Sequence, residues 1–458
     1  MKKLPWAFWK FREKTQMLHK RRIHLGIDYG TSMSKMVFRD YGGPGGDRAF
    51  LVVPRDGSFR IPSRVCVTAA EMIFGDDHRS TDDCDIYESM KMQVAAEVTR
   101  KSNYYFGPNK KLPDGFSAVD LAILTVWFLI SEGHRAIASY LDRRVEDVPI
   151  GMAMGVPMAF FKEEELRSAF LGIARRAWAL YRNEGRLDSV LLIEKAHKLL
   201  EKHAAAASSP IPEYEVRSWI RSEAEAAMWW PFQSPAIGAG PYAKVDIGAG
   251  TTHASLFRIY EKNGVREGLA FFGAVSVPFG MDAVDRAIAD SQGSGGDCLA
   301  FRGREESILQ SDAKARGAMI PVREHIYEAY RKSWIETYRK INPNPNRSQN
   351  VAELSAWRDH QVFVIGGGSL VSSLVETARV HPGTREPLQR AVLEQPADLL
   401  RADNTKIAEN ELPFVTVAYG LANIGLSIPE AFTPDQIPPM PDRAQERMRL
   451  DRDDIYAK

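Results

Sequence analysis

A chain of 458 residues, 44% hydrophobic and 26% charged, can bury the cores of two or three domains. Its 60 basic and 59 acidic side chains leave a net charge of +1, so no global basic field argues for nucleic acid. Cys66, Cys84 and Cys298 stand far apart with no CxxC pair, and no HExxH occurs, which favours a reducing compartment and no structural zinc; there is also no apolar run of about 18 residues and no signal-peptide core.

Residues 1–22 carry eight Lys/Arg, one Glu and four large aromatics. Leu4, Phe8, Phe11 and Leu18 fall at helical spacing, a pattern that suits an anionic membrane surface or a protein partner; the alternative is a leader packed on its own domain, or a disordered one. Ile23–Tyr29 reads as a buried strand and Lys35–Arg39 as its hairpin partner. Gly42–Gly46 reads as a hairpin turn rather than a phosphate loop, because no Lys-Ser/Thr end and no helix follow. A hairpin is expected across Ile61–Gly75, and Tyr87–Lys91 precedes a basic, polar segment. Phe116–Leu141 has the stripe of a long amphipathic helix, Val148–Pro157 reads as a central strand, and Lys162–Leu180 as a helix. Residues 185–218 give a mixed signal. Glu223–Met228 reads as the acidic first turn of a helix, and Trp229–Pro241 as the strongest domain boundary. In the second half, strands are expected at Lys244–Phe257 (a hairpin), Leu269–Val277 and Val362–Ile365. Helices are expected after Phe279, over Val322–Lys340, from about Leu370, and over Phe414–Ile424. Residues 291–304 and 342–350 read as loops, and a Pro-rich, charged tail begins at Pro429.

Two stretches repeat one pattern. Leu25–Phe38 reads LGIDYGTSMSKMVF and Lys244–Phe257 reads KVDIGAGTTHASLF. Each is a strand, a Gly turn and a second strand, with Asp28 and Asp246 closing the first strand and Gly30 and Gly248 two residues on. A Gly turn leaves successive N–H groups open to an anion, and Thr31, Ser32, Thr251 and Thr252 add hydroxyl donors. The two aspartates repel phosphate directly but suit Mg2+ held through its waters. The pairing suggests a duplicated fold whose two hairpins share one ligand.

The order of these motifs resembles the actin-like ATPase superfamily, which includes actin, the nucleotide-binding domains of DnaK-type chaperones and bacterial segregation and cell-division actins. The resemblance covers about residues 23–426, and Ile61–Gly75 with Glu88–Lys91 is nearest the chaperone branch. It implies an α/β chain with a duplicated ribonuclease-H-like actin fold, two lobes around a nucleotide cleft. Lobe I would span 23–235, lobe II 236–413, a helix at 414–428 would return to lobe I, and 429–458 would form the tail. It implies that Asp28, Gly30, Thr31 and Ser32 form a first phosphate motif, and Asp246, Gly248, Ala249, Gly250, Thr251 and Thr252 a second. Gly366, Gly367, Gly368 and Ser369 would form the adenosine motif. Asp28 and Asp246 would hold Mg2+ through water, Lys91 would reach the phosphates, and Glu223 would act on the attacking water, with Glu225 as its rival. Asp285 sits where the family has an Asp after a glycine pair, although Phe279 replaces the first glycine here.

The implied function is that of a cytoplasmic, chaperone-like ATP-binding hydrolase (an ATPase) whose closure a protein partner reads. About 30 residues follow the final helix, too few for a chaperone's peptide-binding domain. A filament-forming actin homologue, linked through residues 1–22 to the inner face of a membrane, is the alternative, and a weakly catalytic scaffold or small-molecule kinase a third. No nucleic acid partner is expected.

Overall fold

The computed structural model describes residues 21–43, 46–54, 57–75, 84–100, 112–141, 148–207, 219–292, 304–342, 351–423 and 430–432. The readings made for most of the leader, for residues 293–303 and 343–350, and for most of the tail lie outside these. The chain divides into two compact units, Met1–Trp230 with Gln395–Leu426, and Pro231–Glu394 with Ser427–Lys458.

The first unit is built on a mixed sheet. Strands β1 (Arg22–Asp28), β2 (Met33–Tyr41) and β3 (Arg48–Leu51) run antiparallel in sequence order. Strands β8 (Ile150–Val156) and β10 (Ile220–Ser222) then add in parallel on the other side of β1. The two-residue strand β4 (Ile61–Pro62) pairs with the start of β2, and β15 (Leu399–Arg401) joins β3. A second, antiparallel sheet holds β5 (Val65–Val67), β6 (Glu71–Phe74), β7 (Asp85–Tyr87) and β9 (Val190–Leu192) in the order β7-β5-β6-β9. Two helices supply most of the core beside them. Ala118–Tyr140 starts at a capping box in which Ser117 and Asp120 satisfy each other's backbone N–H groups. That helix is long and apolar enough to cross a membrane, contrary to the sequence reading, but 72% of its most apolar stretch is buried inside this unit. It packs against Glu164–Glu184, whose Leu166, Phe170, Ile173, Ala177 and Leu180 form the facing stripe.

The second unit repeats the opening arrangement. Strands β11 (Gly240–Ile247), β12 (Thr252–Lys262) and β13 (Val265–Val277) are antiparallel in sequence order, and β14 (Gln361–Ile365) lies parallel to β11 on its other side. The long helix Ala313–Ile341 covers one face through Ala315, Val322, Ile326, Ala329 and Tyr330. It carries Pro321 within it, and it begins earlier than the periodicity alone indicates because Asp312 caps the N–H groups of Lys314 and Ala315. Two elements lie where the sequence signal is weak. Residues 185–218 include β9 and the helix Ile193–Lys202, and the stretch read as a Pro-rich, charged tail contributes β16 (Glu430–Phe432), parallel to β13.

Within the first unit, the apolar helix Leu412–Leu421 approaches backbone directly. A Cβ on Gly26 of β1 would lie 2.4 Å from the Ala418 carbonyl oxygen, and one on Gly420 would lie 1.8 Å from that of Ala226. The Ala-Tyr-Gly segment is therefore a packing element. Gly420→Ala is expected to destabilise the protein by about 3 kcal/mol through forced backbone displacement. A Tm within 1 °C of wild type would contradict this contact.

Candidate functional site

Both units bring their polar residues to the carboxyl ends of parallel strands. In the first, Ile27 of β1 stands opposite Met154 of β8, and Val156 of β8 opposite Ser222 of β10. Asp28 thus ends β1, and Glu223 opens the helix Glu223–Gln233 directly after β10, on the same edge of the sheet. Ligands of α/β sheets collect at this edge because the loops and helix N-termini there present unpaired N–H groups.

Asp28 is 7% exposed, and its Oδ2 accepts a hydrogen bond from Lys35 Nζ at 3.3 Å. Thr31 and Ser32 in the turn are buried, and the Ser32 carbonyl accepts from the Ser63 N–H at 2.8 Å. Ser63 also shares a 2.6 Å hydroxyl contact with Ser34, so the Ile-Pro-Ser segment braces the turn from one side. Lys91 lies in the helix Met90–Thr99 and is 3% exposed. Its Nζ donates to Glu223 Oε1 at 2.6 Å and lies 5.7 Å from the centre of the Tyr29 ring. Glu223 in turn packs over Gly155, where a Cβ would meet the glutamate Cγ at 3.0 Å. Sequence reasoning chose Lys91, Glu223 and Asp28 separately. The fold joins Lys91 to Glu223 across 132 residues and sets Lys91 beside Tyr29, the residue that follows Asp28.

In the second unit, Asp246 pairs in register with Ile365, and Gly366 follows that strand with φ of 79°. A Cβ on Gly366 would lie 2.6 Å from Asp246 Oδ1, and one on Gly368 2.3 Å from Ile247 Cγ2. These two glycines are therefore required by close approach of the chain to its own strand β11. Ser369 Oγ donates to the Gly366 carbonyl at 2.7 Å and tightens the turn. In the hairpin, Gly248 N–H donates to the Thr251 carbonyl at 2.9 Å, and Thr252 Oγ1 donates to the Phe279 carbonyl at 2.8 Å. Gly280, next to Phe279, approaches the hairpin closely. A Cβ there would meet the Ala249 and Gly248 carbonyl oxygens at 2.4 and 2.5 Å. Asp285 is fully buried on the helix Asp282–Gln292. Gly250 and Gly367 take part in the two turns, in the segments before Thr251 and Gly368.

The two hairpins share one geometry. Asp28 faces Lys35 and Asp246 faces His253, seven residues on in each case. The glycine two after each aspartate packs against the carbonyl three residues later, that of Met33 or Thr251. This register places two further side chains that motif reading passes over. Lys35 is an ion-pair partner of Asp28, and His253 Nε2 hydrogen-bonds Thr251 Oγ1 at 3.1 Å. Counting along both strands from the Asp is the signal that finds them.

The choice between Glu223 and Glu225 is settled for the Lys91 contact: Glu223 makes it. The cysteines depart from the sequence reading. Cys66 in β5 and Cys84 beside β7 are joined as a disulfide pair with Cα atoms 5.9 Å apart, because those neighbouring strands bring distant positions together. In comparisons with known proteins, no family model and no curated protein matches the chain.

Proposed function

We propose that this protein is a Mg-ATP-binding ATPase of the duplicated ribonuclease-H-like, actin-like class, acting as a molecular switch for a protein partner. The observation that carries the reading is the Lys91–Glu223 ion pair, at 2.6 Å and largely buried, at the sheet edge where β1 ends in Asp28. An ionic pair that costs desolvation is retained at a strand-end site more readily for chemistry than for stability. The shared strand order and hairpin register of the two units support the duplicated fold.

The side chains of each unit's own hairpin are of the types that suit the ligand. Asp28 and Asp246 are hard oxygen donors suited to Mg2+ through water, and Thr31, Ser32, Thr251 and Thr252 are hydroxyls on Gly turns suited to phosphate oxygens. Mg2+ would supply neutralisation of charge on the phosphates. Lys35 places a fixed cation next to Asp28, where it can meet an anionic oxygen. Glu223 orients and accepts a proton from the attacking water, and Lys91 holds the Glu223 carboxylate in one orientation. This is catalysis by positioning and electrostatics, the usual resource of phosphoryl transfer. The partner reading draws support from the edge strand β9, where Val190 and Leu192 are 41% and 54% exposed.

The test is release of inorganic phosphate from ATP by the purified chain, with and without Mg2+. Asp28→Asn and Asp246→Asn are each expected to cut the rate at least about tenfold. Wild-type turnover in both variants would sink the reading. Sedimentation in ATP against ADP separates a switch from a filament, since only a filament pellets in the ATP state.

A further inference from the structure

The geometry points to Cys66 and Cys84 as a reversible thiol–disulfide pair that fixes strand β7 and, through it, the helix that carries Lys91. Cys66 sits mid-strand in β5, with Ile86 of β7 directly opposite. Cys84 is two residues before Ile86, so it lies on the same face of the sheet, one diagonal step away. The Cα separation of 5.9 Å falls within the range that a disulfide spans without backbone movement. Both residues are half-buried rather than sealed in the core.

The consequence runs along the chain. Strand β7 ends at Tyr87, and Ser89 takes a left-handed φ of 57° to turn directly into the helix Met90–Thr99. Three residues of backbone pairing hold β7 to β5, so without a covalent tie the strand is a short edge. The disulfide bolts the entry of this helix to the sheet seven residues before Lys91. Reduction leaves the Lys91–Glu223 contact dependent on three ladder positions and on the packing of Met90, Met92, Val94 and Ala95, with no covalent tie at the helix entry.

The step balances with glutathione disulfide as oxidant. One cysteine thiolate attacks it and releases a glutathione thiolate; the second cysteine thiolate then displaces the other. Two thiols give one disulfide and two glutathiones, and the two protons pass to the released thiolates. Dithiothreitol reverses the sequence.

The test uses the full chain carrying Cys298→Ser, equilibrated with glutathione disulfide or with dithiothreitol. Tryptic digestion after Arg64, Arg79 and Lys91 separates residues 65–79 from 80–91, so the oxidised form should yield these two peptides linked. In the reduced form, hydrogen exchange across 85–95 and reductive methylation of the Lys91 amine should each quicken at least about fivefold. Cys84→Ser should match the reduced form under both conditions. Full alkylation of both thiols after the glutathione disulfide step would overturn the pairing. Linked peptides with unchanged exchange and unchanged Lys91 labelling would overturn the coupling. The significance of Lys91 rests on the ATPase reading, but every readout here is independent of turnover, so the two can fail separately.

Discussion

Glu223→Gln is expected to lower ATP turnover by about 10²- to 10³-fold while leaving a Mg-ATP-dependent rise in Tm intact. The amide keeps the shape of the carboxylate and an oxygen acceptor for Lys91 Nζ, now 2.6 Å from Glu223 Oε1, but it cannot take a proton from water. Glu225→Gln should stay within about threefold of wild type, the size of a first-turn helix charge effect. Stability provides an internal control. The Lys91 and Glu223 side chains are 3% and 12% exposed, so Glu223→Leu strands a cation and should cost about 3–5 kcal/mol. Combining Glu223→Leu with Lys91→Met removes both charges and should restore most of that loss without restoring turnover. Phosphate release and urea unfolding of the four variants separate the chemical from the structural role. Undiminished turnover in Glu223→Gln would remove Glu223 from the mechanism.

Acid should destabilise both units through their buried histidines. His24 on β1 is 3% exposed, and burial, assisted by the Arg221 charge, lowers its pKa from 6.5 to about 3. His360, ahead of β14, is 2% exposed and lowered to about 4, again chiefly by burial. It lies among Trp357, Trp334 and His381, with Tyr330 Oη and the Trp357 carbonyl at its two ring nitrogens. His381 is also lowered by burial and by Arg358, and its Nε2 is buried without a hydrogen-bond partner among the described residues. Each histidine is neutral in the folded chain and takes up a proton more readily when unfolded. Its contribution is therefore complete above pH 6.5 and is lost as pH falls towards the folded value. At pH 4.5 the loss is about 2–3 kcal/mol for each of His24 and His360. Set against a typical stability of about 5–15 kcal/mol, this should lower the urea midpoint visibly between pH 7 and pH 4.5. A midpoint that is flat over that interval would contradict the burial of these rings.

Much of the site was legible in the chain because local rules governed it. Asp-x-Gly followed by hydroxyls has few uses other than a strand end with a tight turn, and both copies lie in that setting. The helix Ala118–Tyr140 announced itself through its stripe, and its cap lay within one residue of the reading. What escaped was set by pairing across the sheet. Lys35 is ordinary until the β1–β2 register puts it opposite Asp28. Cys66 and Cys84 are unrelated until β5 and β7 become neighbours. Gly366 and Gly368 of the GGGS turn also lie against Asp246 and Ile247, a contact that only the β11–β14 pairing reveals. Strand β16 followed no periodic pattern because three residues added to a sheet edge need little more than free backbone groups.

The backbone contact between Gly26 and Ala418 bears on how the molecule is made. On the ribosome, β1 (Arg22–Asp28) emerges long before the helix that seals it, Leu412–Leu421. At about 5–20 residues per second, the nascent first unit spends roughly 20–80 s without its closing helix. During that interval the narrow groove over Gly26 stands open, along with the surface of the helix after Glu223 that Gly420 will cover. The first unit cannot finish until residues 231–394 of the second have been synthesised, so a premature stop within that stretch leaves both units unfinished rather than one complete and one absent.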